Sequence, residues 1–290
     1  MPDYHPFHPN PRKPSKAPPA GAIDGQFHVF GPPEKYAVRP GAAYEMPSAD
    51  FAAAKRMHAA LGFTRGVIVQ ATTYGADHTV VLDGLQAMGP GYRGCANVAV
   101  LAERDDAYVQ KLHDAGVRGA RFTRGGLGIS ITGPTFDKVI ARVRELGWYL
   151  KVQPEVGGFA EQAPTFEKLE MNVVIDHMGR PDPAKGKADP SLATILELLE
   201  RGNFWVMLSL GEKTSRQGPP YADVVPVAQA LIEAAPDRCI WGSDWPHPIS
   251  KVPPPNDADL LELLYRYAPD DATLAKILVA NPARLFGYAP

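Results

Sequence analysis

Cys239-Ile240-Trp241-Gly242-Ser243-Asp244-Trp245-Pro246-His247-Pro248 is the stretch around which the rest of the chain is read. Three apolar residues open a short strand, Gly242 and Ser243 interrupt it, and the two prolines forbid further ladder pairing, so the strand ends near Asp244. A carboxylate at the C-terminal end of a strand is where α/β barrels place their chemistry. An Asp in a Gly/Pro-rich loop serves equally well as a turn or helix cap. The stretch alone leaves the two readings level.

Upstream of it, from Ala22 onward, short apolar runs alternate with longer amphipathic stretches, the pattern of βα units and a parallel sheet. Eight strands are expected, at 22–30, 65–70, 94–100, 119–122, 149–153, 172–176, 204–209 and 239–243. Helical periodicity falls between them at 49–61, 80–88, 105–115, 136–146, 192–201 and 221–235, with Gly62, Gly116 and Gly147 as stops, and after them at 257–267 and 271–279. Eight such units predict a single (β/α)8 TIM-type barrel over 21–290. Residues 1–20, rich in Pro, are expected to form an extended or disordered arm. The segments after strands, at 31–48, 123–135, 177–190 and 210–220, are long and rich in Gly and Pro, which directs function to the C-terminal face.

Composition narrows the function. The 290 residues are 45% hydrophobic and 21% charged with a net charge of −2, which suits a soluble globular protein and offers no nucleic-acid footprint. No run approaches the ~20 apolar residues of a membrane span, and the N-terminus carries no apolar signal core. A cytoplasmic protein acting on a small molecule is expected, with no membrane partner; the exposed helices of a barrel leave room for a homo-oligomer. Cys95 and Cys239 each begin an apolar run and read as buried thiols rather than a disulfide.

Other strand ends supply candidates for the site. Alternation on the first strand puts Asp24, Gln26 and His28 on one face. The sixth strand runs through Asp176 into His177 and Arg180, and the fourth places Arg121 at its end and Arg124 just beyond. Guanidinium forks bind carboxylates, so arginines around one mouth indicate an anionic substrate, although rim salt bridges account for Arg121 and Arg180 equally well. Lys213 and Arg216 add charge in the seventh loop, or are simply solvated.

Four separated motifs carry a resemblance: 22–32 around Gln26-x-His28, 174–181 around Asp176-His177-Met178-Gly179-Arg180, 241–248 around Asp244, and the closing Asn281-Pro282-Ala283-Arg284-Leu285-Phe286. Together they resemble the amidohydrolase superfamily, and within it the 2-pyrone-4,6-dicarboxylate lactonases and their sugar-lactone relatives. The resemblance implies lactone hydrolysis in which Asp244 is the general base on water, with His28 and His177 polarising the carbonyl. It also implies an anionic lactone whose carboxylates are held by Arg121 and Arg180, with Tyr44 and Thr72 contributing hydroxyls; Gln26, Arg124, Gln153, Lys213, Arg216 and His247 are further expected substrate contacts.

Gln26 stands where the family's usual pair has its first His, and an amide cannot replace an imidazole as a zinc ligand of comparable strength. No cofactor is therefore expected. With Gln153 at the end of the fifth strand, Gln26 resembles the metal-free D-galactarolactone isomerases, so intramolecular acyl migration is one alternative. A zinc hydrolase or decarboxylase with His28, His177 and Asp244 as ligands is a second, and a non-catalytic binding protein on the same barrel a third.

Overall fold

The computed structural model describes residues 4–123 and 133–288. Eight strands follow one another around a parallel sheet in chain order: β1 (Ile23–Phe27), β2 (Arg65–Val69), β3 (Tyr92–Asn97), β4 (Val117–Phe122), β5 (Tyr149–Val152), β6 (Val173–Ile175), β7 (Phe204–Met207) and β8 (Cys239–Ile240). Beyond Ile240 the backbone leaves the regular ladder but stays bonded to β1. Gly25 N donates to Trp241 O at 2.9 Å, Asp244 N to Gln26 O at 2.9 Å and His28 N to Trp245 O at 2.7 Å, which brings β8 round against β1 as in a (β/α)8 barrel. The approach is close enough to require glycine: a Cβ on Gly242 would lie 2.7 Å from Gln26 N. Eighth-strand pairing is accordingly shorter than the 239–243 read from the sequence.

The helices α1 (Phe51–Leu61), α2 (Thr79–Met88), α3 (Ala99–Glu103), α4 (Asp106–Asp114), α5 (Pro134–Glu145), α6 (Ala163–Phe166), α7 (Pro190–Leu199), α8 (Gly211–Thr214), α9 (Val225–Ala234), α10 (Asp257–Tyr267), α11 (Asp271–Ala275) and α12 (Asn281–Phe286) fill the connections and close the chain. Their starts follow capping chemistry. Asp50 accepts from Ala53 N ahead of α1, and Asp189 accepts from Ser191 N and Leu192 N ahead of α7. Gly62, at φ 90°, ends α1. The third expected strand runs too far: Val98 leaves the sheet and α3 begins at Ala99, because the Asn97 side chain accepts from Ala99 N and turns the chain into a helix.

Two apolar clusters support the site. One lies between strands and helices. The other fills the barrel axis below the mouth, where Ile23, Val67, Val174, Met207 and Ile240 meet Tyr149, Leu285 and Phe286, with the Tyr149 and Phe286 rings 5.2 Å apart. Both cysteines are buried and free.

Residues 4–20 form no regular element and run along the outside of the last helices. His5 N donates to Ser250 O at 3.0 Å, the Phe7 ring lies 4.8 Å from that of Trp245, and Arg12 grips both carboxylate oxygens of Glu262 at 2.9 and 2.8 Å. Among the described residues no helix is long and apolar enough to cross a membrane.

Candidate active site

A cavity of about 350 Å³ opens at the C-terminal ends of the strands, lined by His28, Tyr44, Thr72, Arg121, Gln153, His177, Arg180, Lys213 and Asp244 together with Leu210, Pro248 and Ile249. Nine side chains picked from the sequence thus surround one space. The backbone bends sharply to bring them there. Asp244 sits at φ 58°, and His177, Met178 and Arg180 each at φ 52°, left-handed conformations that cost non-glycine residues energy and cluster at functional sites.

Asp244 is held by one oxygen. Gln26 Nε2 donates to its Oδ1 at 2.7 Å, and His28 Nε2 lies 3.2 Å from the same atom. His28 Nδ1 is 2.8 Å from Val69 O, a carbonyl that can only accept, so Nδ1 carries a hydrogen. The other ring nitrogen, Nε2, is the one that faces the carboxylate. Asp244 Oδ2 has no hydrogen-bond partner among the described residues, and Asp244 lines the cavity. Burial opposes charge on this carboxyl, but His177, the hydrogen bond from His28 and the Lys213 charge hold it well below the ordinary carboxylate range.

At the sixth strand's end, Arg121 Nη2 bonds Asp176 Oδ2 at 2.5 Å and lies 3.2 Å from His177 Nε2. A guanidinium only donates, so His177 accepts at Nε2 and gives its Nδ1 hydrogen to Ser209 Oγ at 2.9 Å. Burial, aided by Arg121 and Arg180, pushes His177 down to about 4 against the pull of Asp176 and Asp244. In this arrangement neither His28 nor His177 presents a free N–H to the cavity. The cationic side chains of Arg121, Arg180 and Lys213 line the cavity instead, and Nε of Arg121 and Nε of Arg180 are buried with no partner among the described residues. The Tyr44 hydroxyl accepts from Thr72 Oγ1 at 3.2 Å, and burial raises its pKa, so the phenol keeps its proton.

Several sequence expectations need correcting. Asp24 does not share a face with Gln26 and His28. The β1–β2 register slips between Asp24 and Phe27, and Asp24 turns to His58 of α1 at 3.0 Å and to Ser243, whose Oγ donates to it at 2.6 Å. Gln26 is fully buried and does not line the cavity; its amide supports Asp244 from behind. His247 points away as well, 3.1 Å from Asp257 and 3.7 Å from Glu212. Burial works against its charge, yet these carboxylates raise it to about 10, so it is an ion-paired anchor for the loop. Arg216 is exposed and paired with Asp182 at 2.8 Å, on the wall of a neighbouring 500 Å³ pocket that shares Arg180 and Lys213 with this cavity. Arg124 lies outside the described residues.

Two participants were missed. Lys151 of β5 is buried in the barrel beside Gln26 and 3.4 Å from Asp176, and Asp176 itself binds both Lys151 and Arg121. The signal was present, because Tyr149, Lys151 and Gln153 alternate onto one face of β5.

Three His, Cys, Asp or Glu side chains do not converge on a metal position among the described residues. His177 Nε2 is taken by a guanidinium and His28 Nε2 by Asp244, so the zinc set imagined from the sequence does not fit this geometry.

A parallel barrel with an ionised carboxylate and cationic donors at its C-terminal mouth defines a barrel enzyme of the hydrolytic type. The chain belongs to the amidohydrolase family, whose model matches residues 7–288. It is 38% identical over 296 residues to the 2-pyrone-4,6-dicarboxylate hydrolase of Comamonas testosteroni, covering 98% of this chain and 96% of that protein. It is also 31% identical to the D-galactarolactone isomerase of Agrobacterium fabrum, over 96% of this chain and 94% of that one. Among solved structures, a probable 2-pyrone-4,6-dicarboxylic acid hydrolase from Acinetobacter baumannii with citric acid bound superposes with a TM-score of 0.79 at 26% identity, covering 92% of this chain and 99% of that chain.

Proposed function

We propose that this protein hydrolyses a lactone bearing one or more carboxylates, and does so without a metal ion. The observation that carries the reading is Asp244: one carboxylate oxygen tied by Gln26 and His28, the other left for the cavity, in a space ringed by Arg121, Arg180 and Lys213. Asp244 takes a proton from water, and the hydroxide adds to the lactone carbonyl. Negative charge on the carbonyl oxygen is met by Arg121 with the Tyr44 phenol beside it. His177 then serves as the acceptor that steers Arg121 rather than as a direct donor. Collapse breaks the ring C–O bond, and Asp244 returns its proton to the leaving oxygen. Arg180 and Lys213 hold the substrate carboxylates.

The test is a panel of carboxylated and neutral lactones followed by acid release, with and without chelator. Turnover of carboxylated lactones alone, unaffected by chelation, is the expected result; loss of activity on chelation would overturn the metal-free mechanism. Similarity to the D-galactarolactone isomerase supports a second reading, attack by a substrate hydroxyl in place of water. Solvent oxygen-18 separates the two, since only hydrolysis places it in the product.

A further inference from the structure

The Gln26 side chain is clamped between opposite charges. Its Oε1 bonds the Lys151 ammonium and its Nε2 donates to Asp244 Oδ1. An amide set between a cation and an anion has one favourable orientation, because a flip would turn its NH2 onto an ammonium and its carbonyl onto a carboxylate. Lys151 is itself fixed, fully buried and 3.4 Å from Asp176 Oδ1, and Asp176 is bonded on its other oxygen to Arg121. The row Arg121–Asp176–Lys151–Gln26–Asp244 therefore alternates donor and acceptor across the interior from β4 to β8.

We propose that Lys151 is a positioning residue for the catalytic base: by fixing the Gln26 amide it makes Gln26 a donor to Asp244 Oδ1, which leaves Oδ2 as the oxygen that meets water. The same row ties the base to Arg121, so the group that removes the proton and the group that receives the developing charge are set by one connected structure. This inference rests on the lactonase reading for its kinetic consequences, but the clamp exists without substrate.

The experiment is a double-mutant cycle between Lys151→Met and Gln26→Leu, with two readouts. In the first, the side-chain amide signals of Gln26, assigned by their loss in Gln26→Leu, are followed by NMR in ligand-free protein. Wild type is expected to show sharp signals with slow hydrogen exchange, and Lys151→Met to show faster exchange or broadening; unchanged signals would overturn the clamp. In the second, each single variant is expected to lower kcat by about 10- to 100-fold with KM within about threefold. The double variant should be no slower than Gln26→Leu alone. Multiplied effects would show that Lys151 acts independently of Gln26 and would overturn the proposal. If Lys151→Met does not fold, Gln26→Leu alone decides: undiminished kcat would remove the link to the base. A clamp seen by NMR in a protein that opens no lactone would leave the positioning intact and reject the proposed function instead.

Discussion

At the lower end of the barrel axis Tyr149, Met207, Leu285 and Phe286 meet as a dry apolar plug, while at the upper end the same ring of strands leads to Lys151, Asp176, Arg121, His177 and Asp244, also buried. On β5 the two regimes are two residues apart, Tyr149 below and Lys151 above. The plug is stabilised by area removed from water and tolerates exchange of like for like. The charged layer pays for its burial with matched partners: Asp176 lies between Lys151 and Arg121, and Asp244 between Gln26 and His28. Burial alone therefore does not mark function. What distinguishes the mouth is that its charged groups line a cavity, Arg121, Arg180 and Asp244 among them. An unpaired buried donor does not distinguish it, since the Tyr149 hydroxyl in the plug also lacks a partner among the described residues.

The sharpest way to break this contrast is Asp244→Asn, which keeps shape and removes the base. Loss of about 10³-fold in kcat is expected with an unchanged melting temperature, measured by lactone ring opening and by calorimetry. Near-wild-type turnover would remove the mouth's claim to the chemistry. Phe286→Ala attacks the opposite end. It should cost about 3–5 kcal/mol in urea unfolding while kcat in the remaining folded protein stays within twofold. A large fall in kcat would show that plug and mouth are not separable.

Acidification distinguishes the two ends without mutation. The folded protein holds His177 neutral down to about 4, whereas an unfolded His protonates near 6.5. Its contribution to stability is thus present above pH 6.5 and is lost as pH falls from there towards 4. His177→Asn should flatten that part of the stability-versus-pH curve, while Phe286→Ala should lower the curve and keep its shape. The smallest effect is expected at the periphery. Phe7→Ala uncovers the Trp245 ring next to the base, and a loss of about two- to fivefold in kcat, with little change in KM, is the outcome to look for.

Much of this was legible from pattern. Periodicity gave eight strands in the right order, because each strand is short and bounded by Gly or by a helix with a clear cap. Residues at strand ends gave Asp244, His28, His177, Arg121 and Arg180 at one cavity. Two kinds of error remain instructive. Alternation failed on β1, where a slip in register turned Asp24 to His58; a bulge is a property of the pair of strands, and one strand's sequence does not display it. Motif membership failed at His247, three residues from Asp244, because a left-handed turn at each residue aims the two side chains in different directions. Lys151 was passed over for the opposite reason: a lysine within a strand is usually read as surface, and only its buried partners explain it.

The course of the arm has a practical consequence for handling the protein. His5 is bonded to Ser250, the neighbour of the cavity-lining Ile249, so this part of the arm lies beside the cavity opening. Tyr288 lies at the other face, its hydroxyl on Gly66 O and its ring beneath Arg65 and Arg93 at the starts of β2 and β3. The described start of the arm and Tyr288 therefore lie at opposite ends of the barrel, so a label placed on the arm near His5 would crowd the mouth and one placed beside Tyr288 would leave it facing solution.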